Sequence, residues 1–278
     1  MKAQEFLNYA HDRFPGMTSR FFARDDLQDS YEDLCKLTMN IDWLRRDLVV
    51  LDLACGDGEL TKKLQKNFEF ETRFILVDQS EAELNLAKRR LGPARHNIDF
   101  KVGSAFSLPI QSNSVNLVVC HMALMLMRPV DRALAEISRV LVENGVFVAV
   151  IGGAWQESRI QEIFLRENRR VQNQYRVIEP EEFIDRRMRS TQAILELFSC
   201  VPLLNEVQVQ DLTYERNFTP IQMTEFMMSV YDTYCLSDAG ILDLQKSLFE
   251  EYRECCNSDG LIHFKINQKM IFSKKLTC

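Results

Sequence analysis

From Asp47 onward the chain alternates between short apolar runs and stretches with helical spacing. Leu48-Val49-Val50-Leu51-Asp52-Leu53 is apolar except for an acid near its end. Such a run predicts a strand buried on both faces, as in parallel sheets. A glycine-rich turn follows, then helical spacing over 60–68. Phe74-Ile75-Leu76-Val77 predicts a second strand, ending at Asp78. Ser80 and Glu83 have capping-box spacing for a helix over 81–91, which Gly92-Pro93 stops. Residues 98–102 and 114–120 predict a third and a fourth strand. Pro129 opens a helix running through Leu141, Asn144-Gly145 closes it, and 146–151 is the fifth strand. Strands separated by helices predict a doubly wound, mostly parallel α/β sheet, with helices on both faces.

The flanks read differently. Residues 2–44 are helical in pattern, with Phe6, Leu7, His11 and Phe14 at helical spacing and a second helix over 25–37 after Pro15-Gly16. Beyond Gly153, helices are predicted over 159–174 and 181–198, and a strand over 207–214. Thr219-Pro220 reads as the cap and first residue of a helix over 221–234. A helix over 237–256 and a last strand over 261–273, with a turn or bulge near Asn267, complete the chain. The expectation is one domain, 1–278, on a seven-stranded Rossmann-like sheet. Its parts are a helical cover (1–44), a core (45–152), a helical segment (153–200) and a helical lid insertion between the last two strands (218–257).

Composition narrows the partners. A chain of 278 residues buries enough surface to need no staples. Its net charge of -6 repels polyphosphate, so nucleic-acid binding is disfavoured. Eight cysteines without a CxxC pair, and only four histidines, argue against a metal site, and the free thiols suit a reducing compartment. Residues 1–14 carry Lys2, Glu5, Asp12 and Arg13 and no secretory hydrophobic region. The longest apolar stretch, 146–155, is too short to span a bilayer. A cytoplasmic protein without a membrane partner is expected; a homo-oligomer is left open.

The candidate chemistry sits in Asp52-Leu53-Ala54-Cys55-Gly56-Asp57-Gly58, between a buried strand and a helix. Open parallel sheets bind ligands beyond the carboxyl ends of strands where strand order reverses. Gly56 and Gly58 permit a sharp turn and close approach of backbone to a ligand. Asp78, at the end of the next strand, is placed to accept from both hydroxyls of a ribose. A dinucleotide fingerprint needs a third glycine, and here that position is Thr61. Asp52, Asp57 and Glu59 would repel a pyrophosphate. A ligand with a sulfonium and an ammonium group suits them, and S-adenosylmethionine fits.

On these residues the chain resembles the class I S-adenosylmethionine-dependent methyltransferases, especially small-molecule enzymes related to quinone biosynthesis. Residues 52–58 match the first family motif, with Ala54 in place of its first glycine. The resemblance implies that Asp52, Ala54, Gly56 and Gly58 surround the methionine moiety. It makes Asp78 the ribose-binding acid, with Gln79 beside the adenine. Gly103-Ser104-Ala105-Phe106-Ser107-Leu108-Pro109 resembles the third motif, with Ser104 replacing the aspartate that accepts from the adenine amino group. Ser104, Ala105 and Phe106 are therefore cofactor candidates. So is Cys120, although its apolar strand position is the kind a buried core thiol takes. Asn116–His121 resembles the fourth strand, and Ala135–Leu141 with Gly145 the helix and turn before the fifth.

His121, just after that strand, is the candidate catalytic residue, as a general base or to orient the acceptor; the plainer reading is a contact or strand cap. Met122, Leu124, Met125, Leu126 and Met127 suit a core face or a pocket wall. Arg20, Arg24 and Tyr31 lie in the segment that covers the cofactor in relatives, where an arginine would meet the methionine carboxylate. Phe218, Phe226, Met227, Tyr231 and Tyr234 either line a lid or pack the insertion. The expected function is methyl transfer to a small, partly apolar acceptor. The alternatives are a non-catalytic cofactor-binding scaffold or regulatory partner, and a protein methyltransferase.

Overall fold

The five runs of the central segment form parallel strands: β1 (Val49–Leu53), β2 (Arg73–Asp78), β3 (Ile98–Val102), β4 (Val115–His121) and β5 (Leu141–Gly152). Two later strands, β6 (Leu204–Phe218) and β7 (Ile262–Lys275), complete a seven-stranded sheet of order β3-β2-β1-β4-β5-β7-β6. β7 pairs antiparallel with β5. Chain order reverses between β1 and β4, which makes their carboxyl ends the switch point where a ligand crevice forms. The computed structural model describes residues 1–23, 28–41, 43, 47–68, 71–92, 97–155, 157–201 and 203–276.

The chain divides into two compact units. One comprises His11–Gly153, Phe183–Leu212 and Gln268–Cys278 and holds the parallel strands. On one face of its sheet, Leu51, Leu53, Ile75, Val77, Val118, Cys120, Phe147, Ala149 and Ile151 join a core cluster with Leu134 and Ile137 of a helix over Val130–Val140 and with Phe198 of one over Thr191–Ser199. The alternate residues Val50, Leu76, Leu117, Val119 and Val148 are buried too, so the central strands are covered on both faces. This explains why the runs are nearly continuous in apolar character instead of alternating.

The other unit comprises Met1–Ala10, Ala154–Glu182 and Thr213–Asn267. Its helices over Arg159–Tyr175, Pro220–Met228 and Asp238–Arg253 pack together. Gly240 is fixed by that packing: a Cβ there would stand 2.5 Å from the Cβ of Tyr175. Phe226 lies between Phe218 and Phe264, with ring centroids 5.4 and 6.0 Å away, so these aromatics pack within the unit. Among the described residues no helix is long and apolar enough to cross a membrane.

Several element boundaries differ from expectation, each for a local reason. The helix expected over 181–198 is divided: Asp185 caps a 3-10 turn at Arg186–Arg189, and Ser190 then accepts the Ala193 N–H to start a new helix. The helix after Pro220 stops at Met228, where the Thr233 hydroxyl donates to the carbonyls of Met228 and Val230. Asn144-Gly145 does not end a helix. Asn144, at φ 59°, sits within β5 near the register shift between Val115 and Leu117. β7 runs unbroken through Asn267, which the Thr213 hydroxyl and the Ala154 carbonyl engage from either side. The helix expected from residue 25 starts at Ser30; Arg24 and Pro93 lie outside the described residues.

Candidate functional site

The turn after β1 carries three residues in the left-handed region: Ala54 (φ 55°), Gly56 (φ 52°) and Gly58 (φ 78°). It reverses the chain into α1 (Glu59–Leu64). Gly58 has a second reason to lack a side chain, since a Cβ would lie 3.1 Å from the Cβ of Ala87 on α2 (Glu81–Leu91). The Cys55 N–H donates to the Val77 carbonyl at 3.1 Å, so turn and β2 are locked together. Asp78 completes the lock. Its Oδ2 accepts the Gly56 N–H and its Oδ1 the Ser80 N–H, both at 2.9 Å. A carboxylate has about four acceptor positions, so about two remain for a ligand such as a ribose diol.

Carboxylates are concentrated here. Asp52, Asp57, Glu59, Asp78 and Glu83 are all buried. Arg90 pairs with Asp57 at 2.7 Å and with Glu59 at 2.5 Å, and His11 pairs with Glu83 at 3.0 Å. Asp52 and Asp78 have no ion-pair partner among the described residues. Asp52 accepts from the Thr61 hydroxyl at 2.6 Å, but burial pushes its carboxyl up to about 7, with Asp78 and Asp57 adding to the rise. Burial likewise raises Asp78. Buried acids that resist ionisation are a preformed demand for a cation.

An N-terminal segment closes over this turn. Gly16, at φ 77°, gives its N–H to both oxygens of Glu83, at 3.1 and 3.0 Å. Ser19 donates to Asp57 at 2.5 Å, and Ser80 donates to Asp12 at 3.0 Å. Glu83 was expected to complete a capping box. Ser80 does accept the Glu83 N–H, but the Glu83 carboxylate serves Gly16 and His11 instead. None of these cross-links was legible in sequence, because each joins residues dozens of positions apart. Arg20 lies over the Phe21 ring at 5.5 Å.

On the other side of β1, His121 forms the tip of β4. Its Nε2 is 2.9 Å from the Ser30 hydroxyl and its ring stacks on Tyr31, centroids 3.7 Å apart. Both partners lie on a helix over Ser30–Met39, fastened by Asp29 at its N-cap and by Lys63, which pairs with Asp29 and Glu32. Cys120 is wholly buried in the core cluster, where burial pushes its thiol up to about 12. Leu124, Leu126 and Met127 are buried and Met125 packs on the core, which favours the core-face reading. The Ser104 hydroxyl accepts the Phe106 N–H at 3.2 Å, and the Gly103 N–H donates to the Asp78 carbonyl at 2.9 Å. The Ser104–Phe106 loop is thereby tied to the Asp78 tip. Gln79 follows directly and is half-buried.

A methyltransferase-domain family profile matches residues 50–145. Over 120 residues the chain is 28% identical to the ubiquinone/menaquinone biosynthesis C-methyltransferase UbiE of Campylobacter jejuni, a match covering 42% of this chain and 49% of that protein. It is 35% identical over 104 residues to the demethylmenaquinone methyltransferase of Lactococcus lactis, covering 37% and 41% respectively. The chain thus spans about half the length, or less, of these curated relatives. Among solved structures, phosphoethanolamine N-methyltransferase 2 of Haemonchus contortus, bound to phosphomonomethylethanolamine and S-adenosylhomocysteine, aligns with a TM-score of 0.60 at 16% identity, over 100% of this chain and 61% of that one. The YcgJ protein of Bacillus subtilis aligns at 0.56 and 19% identity, over 89% and 100%. The [4+2]-cyclase SpnF aligns at 0.54 and 14%, over 99% and 93%. At these identities the likeness to solved structures is one of fold, and the cyclase illustrates that one fold hosts different chemistries.

Proposed function

Since the chain carries a class I S-adenosylmethionine-dependent methyltransferase domain, we propose that it transfers a methyl group from this cofactor to a small, partly apolar acceptor. The observation that carries this reading is the pairing of the Gly56 turn with a buried Asp78 that keeps acceptor capacity, amid more buried carboxylate than cation. In this reading Asp52, Ala54, Gly56 and Gly58 surround the methionine moiety and Asp78 holds the ribose. Gln79, Ser104, Ala105 and Phe106 border the adenine, while the Cys120 main chain and His121 flank the methyl end.

When bound, the cofactor supplies an electrophilic methyl group on a sulfonium. The protein's task is then to hold an acceptor in line and exclude water, which supplies much of the rate. The quinone methyltransferase relatives make a ring-bearing acceptor the first class to test.

The test is calorimetric titration of S-adenosylmethionine and S-adenosylhomocysteine, followed by transfer of labelled methyl to small-molecule and protein extracts. Label in an organic-extractable small molecule supports the proposal. Label in protein favours a protein methyltransferase. Binding without any transfer favours the non-catalytic scaffold, and no binding at all ends the reading.

A further inference from the structure

Two buried side-chain polar atoms among the described residues have no hydrogen-bond partner, Gln65 Nε2 and His121 Nδ1. The histidine is the informative one, because its ring is fixed on two sides. Tyr31 stacks against its face and the Ser30 hydroxyl meets Nε2 at 2.9 Å. Counting hydrogens selects the tautomer. If Nε2 carried the proton, it would donate to Ser30, leaving both the serine proton and the Nδ1 lone pair unsatisfied. If Ser30 donates to Nε2, only the Nδ1–H is left over. Buried polar groups are overwhelmingly satisfied, so the second arrangement is favoured.

The ring is neutral. Burial pushes it down to about 3. Asp52 pairs with Val119, so His121 stands two residues further along β4. An uncharged, buried N–H donor suits an uncharged oxygen, since bringing a further carboxylate there would carry a large desolvation cost. A ribose diol is already matched by Asp78, one strand beyond β1 in the opposite direction.

Building on the methyltransferase reading, we propose that the Nδ1–H of His121 donates to a hydroxyl or carbonyl oxygen of the methyl acceptor, with Ser30 as the positioning residue that sets the tautomer. His121 then selects and orients an oxygen-bearing acceptor as a donor. It does not remove a proton.

The probes are 1,4-dihydroxynaphthalene, handled under argon, and naphthalene, which lacks the oxygens. Each is titrated into protein saturated with S-adenosylhomocysteine, and the ratio of their affinities is compared between variants. His121→Phe keeps the stacking ring and should cut the wild-type ratio about tenfold, the scale of one hydrogen bond. His121→Asn puts an amide donor near the Nδ1 position and should keep the ratio within about threefold. Nitrogen NMR of the wild type should show an Nδ1–H tautomer, and Ser30→Ala should disturb it. An unchanged ratio in His121→Phe, no binding of the diol, or an Nε2–H tautomer overturns the proposal. So does an about tenfold loss of S-adenosylhomocysteine affinity in His121→Phe, which would give the oxygen to the cofactor. Failure of the wild type to bind S-adenosylhomocysteine would instead remove the methyltransferase reading beneath it.

Discussion

Gly56 donates its backbone N–H to Oδ2 of Asp78 at 2.9 Å, so the turn after one strand is held by the side chain that ends its neighbour. A single carboxylate thus shapes the turn and keeps acceptor capacity for a ligand. Asp78→Ala would orphan the N–H groups of Gly56 and Ser80 together. Each buried donor left unmade costs about 1–3 kcal/mol. We expect urea denaturation to show a loss of about 2–4 kcal/mol, allowing for partial rescue by water. S-adenosylhomocysteine affinity should fall at least about tenfold. Asp78→Asn, which keeps an acceptor but not the charge, should recover part of the stability and little of the affinity.

Ala54 occupies a left-handed conformation, at φ 55°, that favours glycine. For an L-residue this costs about 1–2 kcal/mol, while glycine costs about 0.5–1 kcal/mol of extra backbone entropy. Ala54→Gly should therefore stabilise the protein modestly, by about 0.5 kcal/mol, without weakening cofactor binding. Ala54→Val, branched at Cβ, should destabilise it. Paired thermal melts with and without S-adenosylhomocysteine check both signs.

The core of the fold was legible because both faces of the central strands are buried, which leaves long apolar runs that no surface helix shows. The cofactor turn was legible because close backbone approach demands glycine at fixed spacing. Distant contacts left no comparable trace. Glu83 read as a capping residue, and nothing local says that its carboxylate turns to Gly16 and His11. Ser30 carries no local signal for the same reason: its partner lies 91 residues away. Asn144-Gly145 misled because the same dipeptide that ends helices also serves a bulge.

The His11–Glu83 contact gives the N-terminal segment a pH dependence. Burial alone would lower His11, but the hydrogen bond and charge of Glu83, aided by Asp78 and Asp12, raise it above 6.5. A raised histidine contributes stability that is complete below its unfolded value and is lost as pH rises through its folded value. Hydrogen exchange over residues 11–23, corrected for the intrinsic rate, should therefore quicken from mildly acidic to alkaline pH. Glu83→Gln should remove most of that difference. Equal protection across the range would show that the ion pair does not hold the segment.

Asp52 gives a second dependence of the same sign, because its carboxyl is raised from 3.8 to about 7. The folded protein then holds a proton that the unfolded chain releases between these values. The stabilisation is complete below the unfolded value and is lost as pH rises through about 7. An ammonium-bearing ligand near Asp52 favours the charged form and so drives that proton off. S-adenosylhomocysteine binding should accordingly release protons near pH 6 and almost none above pH 8, and its affinity should climb with pH until the carboxyl is ionised. Calorimetry in two buffers of different ionisation enthalpy measures the release directly. Asp52→Asn keeps an acceptor for the Thr61 hydroxyl. That variant should abolish the release, weaken the ligand, and melt higher than the wild type at alkaline pH when no ligand is present. A proton release that persists in Asp52→Asn would assign the titrating group elsewhere in the carboxylate cluster.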